Sequence, residues 1–449
     1  MVVKHNLKIG IAAILCIVCF DACSNQKNDA FTNEDWLSLA IKTEKYIQQS
    51  KYHSDVGVTW RVMPDSIDSK GDNSLYSGSP GIVLFYLELH KASANPFYLE
   101  EAKLGADYLI NTLHDSIYLP NEVGLYTGLA GLGFTFTEVY KSTNDHKYHE
   151  AAIDIVNLLE LSAIQSENGI HWGFMTDIVY GSSGIGLFLQ YIAEELKSSQ
   201  ADSLSILVAN ELLEIAIESP SGLRWKMSPY YDRFMDNFSH GTSGVAYFLS
   251  QTYLKTKNQK YLDAAISAAE LLDSVSNDKG YIPHHLPGGE DLYYLNWCHG
   301  PAGTSRLFYS LYVATKDEDW LNKMKQTADH LMEEGIHEHQ TDGYWNNVGK
   351  CCGAAGVAEY YFWLYTITGN MEYLEYSATM TDQLIMSSTE VDDYLKWTHA
   401  ENRSSPGNVA AQTGLMQGSA GIGLWFLHLY AHINQSKNLI TLPDKPQVK

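Results

Sequence analysis

The sequence predicts an all-α protein folded as an α/α toroid, a double ring of seven inner and seven outer helices. Three observations support this prediction. A Gly-x-x-Gly motif occurs seven times in the 449 residues, an apolar run follows each motif, and amphipathic stretches separate the motifs. Repetition at intervals of 50 to 65 residues is typical of an architecture built from one repeated unit. The first glycines of the seven motifs are Gly78, Gly128, Gly181, Gly241, Gly300, Gly353 and Gly418.

The stretches that lie outside the motifs carry apolar residues with the 3.6-residue period of a helix. They cover residues 36–47, 98–113, 148–161, 204–217, 261–275, 320–332 and 373–385. Each is amphipathic, as expected of an outer helix that faces solvent on one side. The runs after the motifs, such as 83–89 and 187–192, are more uniformly apolar and predict inner helices.

An apolar inner helix needs neighbours on both sides, which an open row of hairpins does not give to its end members. Closing the row into a ring supplies these neighbours without capping repeats. The glycines predict close backbone approach where each inner helix begins, so we expect all seven motifs to gather at one mouth of the ring. Side chains immediately before the motifs are therefore the place to look for chemistry.

The N-terminal residues predict a lipoprotein-type signal peptide at 1–22. Lys4 and Lys8 precede an apolar run at 9–20. This run is too short to span a bilayer as a helix. A small residue precedes Cys23 and a polar stretch follows it, which resembles the cleavage site of a bacterial lipoprotein. We therefore expect Cys23 to become a lipidated N-terminus.

This interpretation sets the expected domain boundaries. A tether is predicted at 23–35, the toroid at 36–432 and a C-terminal tail at 433–449. The expected location is the cell envelope outside the cytoplasm, with the membrane as a partner through the lipid on Cys23. An uncleaved N-terminal anchor and a soluble secreted form are the alternatives.

The charge balance argues against one class of partner. The chain has 30 Lys and Arg residues against 53 Asp and Glu residues, a formal net charge of -23 at pH 7. Such a charge repels phosphate backbones. We therefore expect no nucleic acid partner.

The cysteines of the predicted domain are few and odd in number. Two of the six cysteines lie within the signal and Cys23 would carry the lipid, which leaves Cys298, Cys351 and Cys352. A disulfide between Cys298 and Cys351 is one interpretation, because disulfides persist in oxidising compartments. With three cysteines, at least one thiol needs another role.

A metal site is the other interpretation of these cysteines. Cys298 and Cys351 each stand two residues before the first glycine of neighbouring repeats, and Cys352 follows directly. Neighbouring repeats would bring the three sulfurs together. Three thiolates suit a tetrahedral zinc ion whose fourth position stays open, which is the pattern of a catalytic zinc site.

These motifs resemble those of the lanthionine synthetase C-like family. The chain reads Trp-Cys-His-Gly at 297–300 and Cys-Cys-Gly at 351–353, and the similarity covers roughly residues 36–432. The resemblance implies the toroid fold and zinc bound by Cys298, Cys351 and Cys352, where Cys352 replaces the usual histidine. It also implies a peptide partner that contains cysteine and dehydroamino acids.

The reaction implied by the resemblance is addition of a cysteine thiol to dehydroalanine or dehydrobutyrine, which closes a (methyl)lanthionine thioether ring. His240 matches the active-site histidine of the family and is our candidate general acid. Asp177 matches an aspartate before the third motif and would orient the histidine or take the thiol proton. His299 is expected to line the pocket. One departure is Tyr294, which stands where the cyclases of the family have arginine.

Three alternative functions remain open at this point. The chain could add a small external thiol, such as glutathione, to dehydroamino acids. It could be a non-catalytic, zinc-stabilised module that binds a peptide, an alternative that Tyr294 favours. A carbohydrate enzyme would instead need paired carboxylates, for which Asp177 and Asp236 are candidates, and would leave the cysteines without a role.

Overall fold

The computed structural model describes residues 29–31, 34–66, 69–113, 122–338, 347–400, 404–436 and 439–446. The predicted signal peptide and Cys23 lie outside these described residues. Within the described ranges, no helix has both the length and the apolar character needed to cross a membrane.

Fourteen α-helices follow one another in the part of the chain that the structure describes. They are α1 (Trp36–Gln48), α2 (Ser79–Ser93), α3 (Pro96–Leu113), α4 (Leu129–Thr143), α5 (His146–Ser162), α6 (Ser182–Glu195), α7 (Ser199–Glu214), α8 (Thr242–Thr256), α9 (Gln259–Val275), α10 (Pro301–Thr315), α11 (Glu318–Glu333), α12 (Ala354–Thr368), α13 (Met371–Met386) and α14 (Ser419–Ile433). The even-numbered helices form the inner ring and are buried over most of their length, whereas the odd-numbered helices form the outer ring. The predicted toroid of seven inner and seven outer helices is confirmed.

Each inner helix except α14, the last helix, is joined to the next outer helix by a short turn. In five of these hairpins the inner helix ends in a residue with left-handed backbone, φ between 55° and 70°. The next residue is Asn or Asp, and its side chain accepts a hydrogen bond from the backbone N–H two residues on. These pairs are Ala94 with Asn95, Asn144 with Asp145, Lys257 with Asn258, Lys316 with Asp317 and Gly369 with Asn370.

The tight structural unit is therefore an inner helix followed by an outer helix. The chain nevertheless begins with an outer helix, because α1 has no inner helix before it. It packs instead against α14, so the first and last helices of the chain close the ring.

Five short antiparallel hairpins interrupt the all-α architecture within the described residues, and the sequence analysis did not predict them. They pair β1 (Lys51–Ser54) with β2 (Gly57–Trp60), β3 (Ile164–Gln165) with β4 (Ile170–His171), β5 (Ile217–Ser219) with β6 (Gly222–Arg224), β7 (Thr389–Val391) with β8 (Tyr394–Lys396), and β9 (Thr398–Ala400) with β10 (Val409–Ala411). Strands of two to four residues are too short for an alternating pattern to emerge from the sequence. All five lie between an outer helix and the following motif.

The seven loops that precede the inner helices hydrogen-bond to one another in a closed cycle. Each loop donates a backbone N–H to a carbonyl oxygen of the next loop, with N···O distances from 2.9 to 3.3 Å. The donor and acceptor pairs are Tyr76 to Tyr126, Tyr126 to Val179, Ile178 to Ser239, Ser239 to Cys298, Cys298 to Cys351, Cys351 to Met416, and Met416 to Tyr76. This cycle holds the residues before every motif at one mouth of the ring.

The motif glycines allow the close approach that this mouth requires. A Cβ atom built on the first glycine of any motif would lie only 1.4 to 2.6 Å from a backbone atom. Glycine is required at these positions for space and not for an unusual backbone conformation. Gly241 and Gly128 have extended backbones with φ of -165° and -163°, which any residue can adopt. Any side chain there would force the loop and the inner helix apart.

Replacing Gly241 by alanine is expected to destabilise the fold by at least about 3 kcal/mol, because overpacking displaces the backbone. The new Cβ would lie 1.4 Å from the Met235 carbonyl oxygen. Denaturant unfolding followed by circular dichroism measures the effect. Gly407→Ala is the matched control, since its Cβ would meet no atom within 4 Å. Equal midpoints for the two variants would contradict the steric explanation.

Candidate metal and catalytic site

The side chains just before the motifs are arranged in register around the mouth. The third residue before the first glycine is buried in every repeat, and it is apolar in all but the sixth, where it is Lys350. The next two positions carry the chemistry. Cys298 and Cys351 occupy the second position before the glycine, whereas His240, His299 and Cys352 occupy the position directly before it.

The three cysteines form one compact cluster. The Sγ atom of Cys352 lies 3.3 Å from that of Cys298 and 3.2 Å from that of Cys351. All three are buried, and all are free thiols rather than members of a disulfide. Their sulfurs lie within 4.8 Å of one another, close enough to hold one metal ion.

The donor set and the spacing fit zinc. Three cysteine sulfurs are the ligands that zinc and other thiophilic ions prefer. Tetrahedral ligands with Zn–S bonds of about 2.3 Å would stand about 3.8 Å apart, so small outward side-chain rotations accommodate an ion.

The electrostatics of the cluster favour a shared negative charge. Burial raises the pKa of the Cys298 thiol well above its usual value. Burial acts in the same direction on Cys351, but side-chain hydrogen bonds with Cys298, Cys352 and Tyr76 outweigh it and leave that pKa well below its usual value. Within the cluster, these hydrogen bonds favour negative charge at Cys351.

Three polar residues that the sequence analysis missed surround the cysteines. The Cys298 thiol donates to Asn296 Oδ1 at 3.0 Å, and Asn296 Nδ2 donates to the Cys352 carbonyl oxygen at 3.1 Å. Gln417 Nε2 lies 3.7 Å from Cys352 Sγ and donates to the Tyr76 hydroxyl at 2.9 Å. Extending the motif register to the first and seventh repeats would have found Tyr76 and Gln417, since they occupy the same two positions.

His240 and Asp177 form a second polar group at this mouth. His240 Nδ1 lies 2.6 Å from Asp177 Oδ2, and the other carboxylate oxygen accepts the backbone N–H of Tyr180 at 2.9 Å. The Tyr180 ring stacks on the imidazole at a centroid distance of 5.8 Å. Because Asp177 is fully buried and His240 is one-fifth exposed, the carboxylate fixes the ring and leaves Nε2 for proton transfer.

His299 connects the cysteine cluster to a row of further aromatic rings. Its ring centroid lies 5.4 Å from that of His240 and 4.2 Å from that of His284, and Tyr294 packs edge-on against both His284 and His299. Burial and the charges of neighbouring histidines hold the pKa of His299 well below its usual value, so its ring is neutral. His284 and its neighbour His285 carried no motif signal, because they lie in the loop after α9.

The structure brings all six predicted site residues to the same mouth of the ring. Asp236, the other carboxylate considered above, has a different environment. It forms an ion pair with Arg224 and accepts a hydrogen bond from the Thr242 hydroxyl at 2.7 Å. Asp177 and Asp236 are thus each engaged by a separate basic side chain, His240 from the next loop for Asp177 and Arg224 from the same loop for Asp236.

Comparison with known proteins adds an independent line of argument. The sequence profile described as lanthionine synthetase C-like protein matches residues 69–442. Glutathione S-transferase LANCL1 of Danio rerio is 23% identical over 316 residues, which cover 68% of this chain and 72% of that protein. Nisin biosynthesis protein NisC of Lactococcus lactis subsp. lactis is 22% identical over 296 residues, 59% of this chain and 69% of that protein.

Among solved structures, nisin cyclase has a similar fold. The superposition gives a TM-score of 0.61 with 18% sequence identity, and it covers 81% of this chain and 89% of that structure. At this level of identity the likeness concerns the architecture, which in both chains is a helical toroid.

Proposed function

This chain belongs to the lanthionine synthetase C-like family, and from that premise we propose that its site adds a thiol to dehydroalanine or dehydrobutyrine in a peptide. The product is a thioether, and ring closure by a cysteine of the same peptide is the leading form of the reaction. The observation that carries the proposal is the group of three buried thiols beside the His240–Asp177 pair.

Cys298, Cys351 and Cys352 would hold a zinc ion, which would supply the chemistry that lowers the pKa of a substrate thiol and favours its thiolate form. Three protein thiolates would make such a site rich in electron density. Asn296 and Gln417 orient the cysteines through their hydrogen bonds, which supports the geometry that a metal needs.

The addition itself needs one proton and no oxidant or reductant. The substrate sulfur bonds to the β-carbon, and the electron pair of the carbon–carbon double bond moves towards the α-carbon as an enolate. His240 then delivers a proton from Nε2 to the α-carbon. Asp177 stabilises the protonated ring through Nδ1, and the proton released by the substrate thiol restores the balance.

A second candidate function is addition of a small external thiol. The similarity to a protein named glutathione S-transferase favours it. Tyr294, which stands where the cyclases of the family have arginine, bears on how any substrate is held. Tyrosine donates a hydrogen bond but carries no charge, so the site would hold its substrate differently. The two candidates share the cysteine cluster and differ in the source of the sulfur.

We expect about one zinc ion per chain by elemental analysis of the purified protein without residues 1–22. After denaturation and chelation, three thiols should react with a thiol reagent, because Cys298, Cys351 and Cys352 are free in the fold. Absence of zinc together with a disulfide would instead contradict the metal-site assignment and with it both candidate reactions.

A dehydrated peptide with one cysteine distinguishes the two candidate reactions. Ring closure leaves the mass of the peptide unchanged but removes its alkylatable thiol, whereas addition of glutathione increases the mass by that of the thiol. A peptide that is bound yet keeps both its dehydroamino acid and its thiol would identify the chain as a non-catalytic binder.

A further inference from the structure

The C-terminal segment 439–446 enters the interior of the inner ring. The backbone N–H of Ile440 donates to Glu88 Oε1 on α2 at 2.6 Å, and Asp444 pairs with Arg306 on α10. Ile440 is 7% exposed and Asp444 is 0% exposed. A segment that contacts inner helices of separate repeats lies in the channel that these helices enclose.

Asp444 makes direct contact with the loops below the cysteine cluster. Its carboxylate accepts the Tyr126 hydroxyl at 3.0 Å and the Trp297 Nε1–H at 3.2 Å, and it also binds the Arg306 guanidinium. Trp297 directly precedes Cys298 in the chain. A buried carboxylate with three donors is strongly held, so it restrains the indole and the backbone that carries this cysteine.

Lys445 makes a parallel contact on the neighbouring repeat. Its Nζ lies 3.0 Å from Glu359 Oε1, and the second oxygen of Glu359 binds Lys350, which directly precedes Cys351. Burial acts to raise the pKa of Glu359, but the two lysines outweigh it and hold that pKa well below its usual value. The carboxylate is therefore ionised, and it needs both cations because it is buried.

The segment also divides the channel into two unequal parts. On the far side, a cavity of about 1520 Å³ is lined by its residues Leu439, Leu442 and Lys445 together with inner helices. On the side of the motif loops, a cavity of about 60 Å³ lies next to Trp297 and Lys350. The two mouths of the toroid are thus separated by the tail of the chain itself.

We propose that residues 439–446 are a resident plug of the toroid channel and that Asp444 is a positioning residue for the cysteine cluster. Asp444 pairs with Arg306 and Lys445 pairs with Glu359. Because the two adjacent residues carry opposite charges, these pairs fix the position of the segment in the channel. Asp444 acts through Trp297 on Cys298, and substrate reaches the cluster from the motif mouth alone. This inference concerns the cluster itself and holds whichever reaction the site performs.

Alkylation of the full-length, metal-free, reduced chain tests the proposal, with the rate at each cysteine followed by peptide mass spectrometry. Asp444→Ala is expected to raise the rate at Cys298 about tenfold relative to Cys352, the factor expected for loss of a charge-assisted hydrogen bond. Asp444→Asn should recover most of the protection, because its amide oxygen still accepts the indole N–H. Thr441→Ala is the matched control, since that side chain is exposed on the same segment.

Two results would overturn the proposal. An unchanged rate at Cys298 would exclude positioning by Asp444, and an equal rise at all three cysteines would assign it a general stabilising role. If Asp444→Ala does not fold, Trp297→Phe removes the indole donor from the other side and is expected to give the same selective rise. The assay contains no metal or peptide, so a failure of the proposed reaction would leave its outcome unaffected.

Discussion

Replacing Cys351 by alanine is expected to abolish zinc binding and thioether formation together. The cluster has three sulfurs within 4.8 Å of one another, and loss of one leaves two protein ligands in a buried site. Two thiols do not retain zinc against dialysis as three do, so we expect less than about a tenth of an equivalent of metal. Activity should fall at least about 10³-fold, because the substrate thiol then stays mostly protonated.

Ser239→Ala provides the matched control for this substitution. Ser239 occupies the same position in the fourth repeat, is fully buried, and its hydroxyl has no hydrogen-bond partner among the described residues. Its removal should therefore preserve the fold and the zinc content. Full retention of zinc by Cys351→Ala would refute the ligand assignment, whatever its effect on turnover.

His240→Ala is expected to separate metal binding from catalysis. The variant should keep its zinc, since His240 contributes no ligand to the cysteine cluster, while kcat falls by about 10²- to 10⁴-fold through loss of general acid catalysis. Metal content and turnover of a dehydrated peptide are measured on the same preparation. Asp177→Asn should be less impaired than His240→Ala, because an amide oxygen still accepts the Nδ1 proton but no longer balances the charge of the ring.

Normal turnover by His240→Ala would transfer the protonation step to another group, and His299 or His284 would be the next candidates by position. Loss of zinc from this variant would instead show that His240 supports the cluster. The two measurements together therefore distinguish a proton donor from a structural histidine.

The repeat pattern made the fold predictable from the sequence. Seven glycine pairs at regular intervals determined the number of hairpins, and the distinction between amphipathic and uniformly apolar segments assigned outer and inner helices. The register of the motifs did the same for the cysteine cluster, because equivalent positions in adjacent repeats must be neighbours. Cys298 and Cys351 could be placed together for this reason alone.

The short hairpins and the polar surroundings of the site could not be predicted in this way. Asp177 and His240 are 63 residues apart, and only the cycle of loop hydrogen bonds brings their side chains to 2.6 Å. His284 comes from a loop without a motif, so its stacking on His299 had no local signal.

The amino-acid sequence by itself determined the closed ring, the inner and outer helices and the three cysteines, because each follows from periodicity or from equivalence between repeats. Only the tertiary structure decided that α1 closes the ring against α14 and that Asp444 accepts a hydrogen bond from the Trp297 indole, next to Cys298 in the chain. These contacts form between segments that are far apart in the sequence. Their free energy arises from burial and charge pairing across the whole ring, which no local pattern in the chain records.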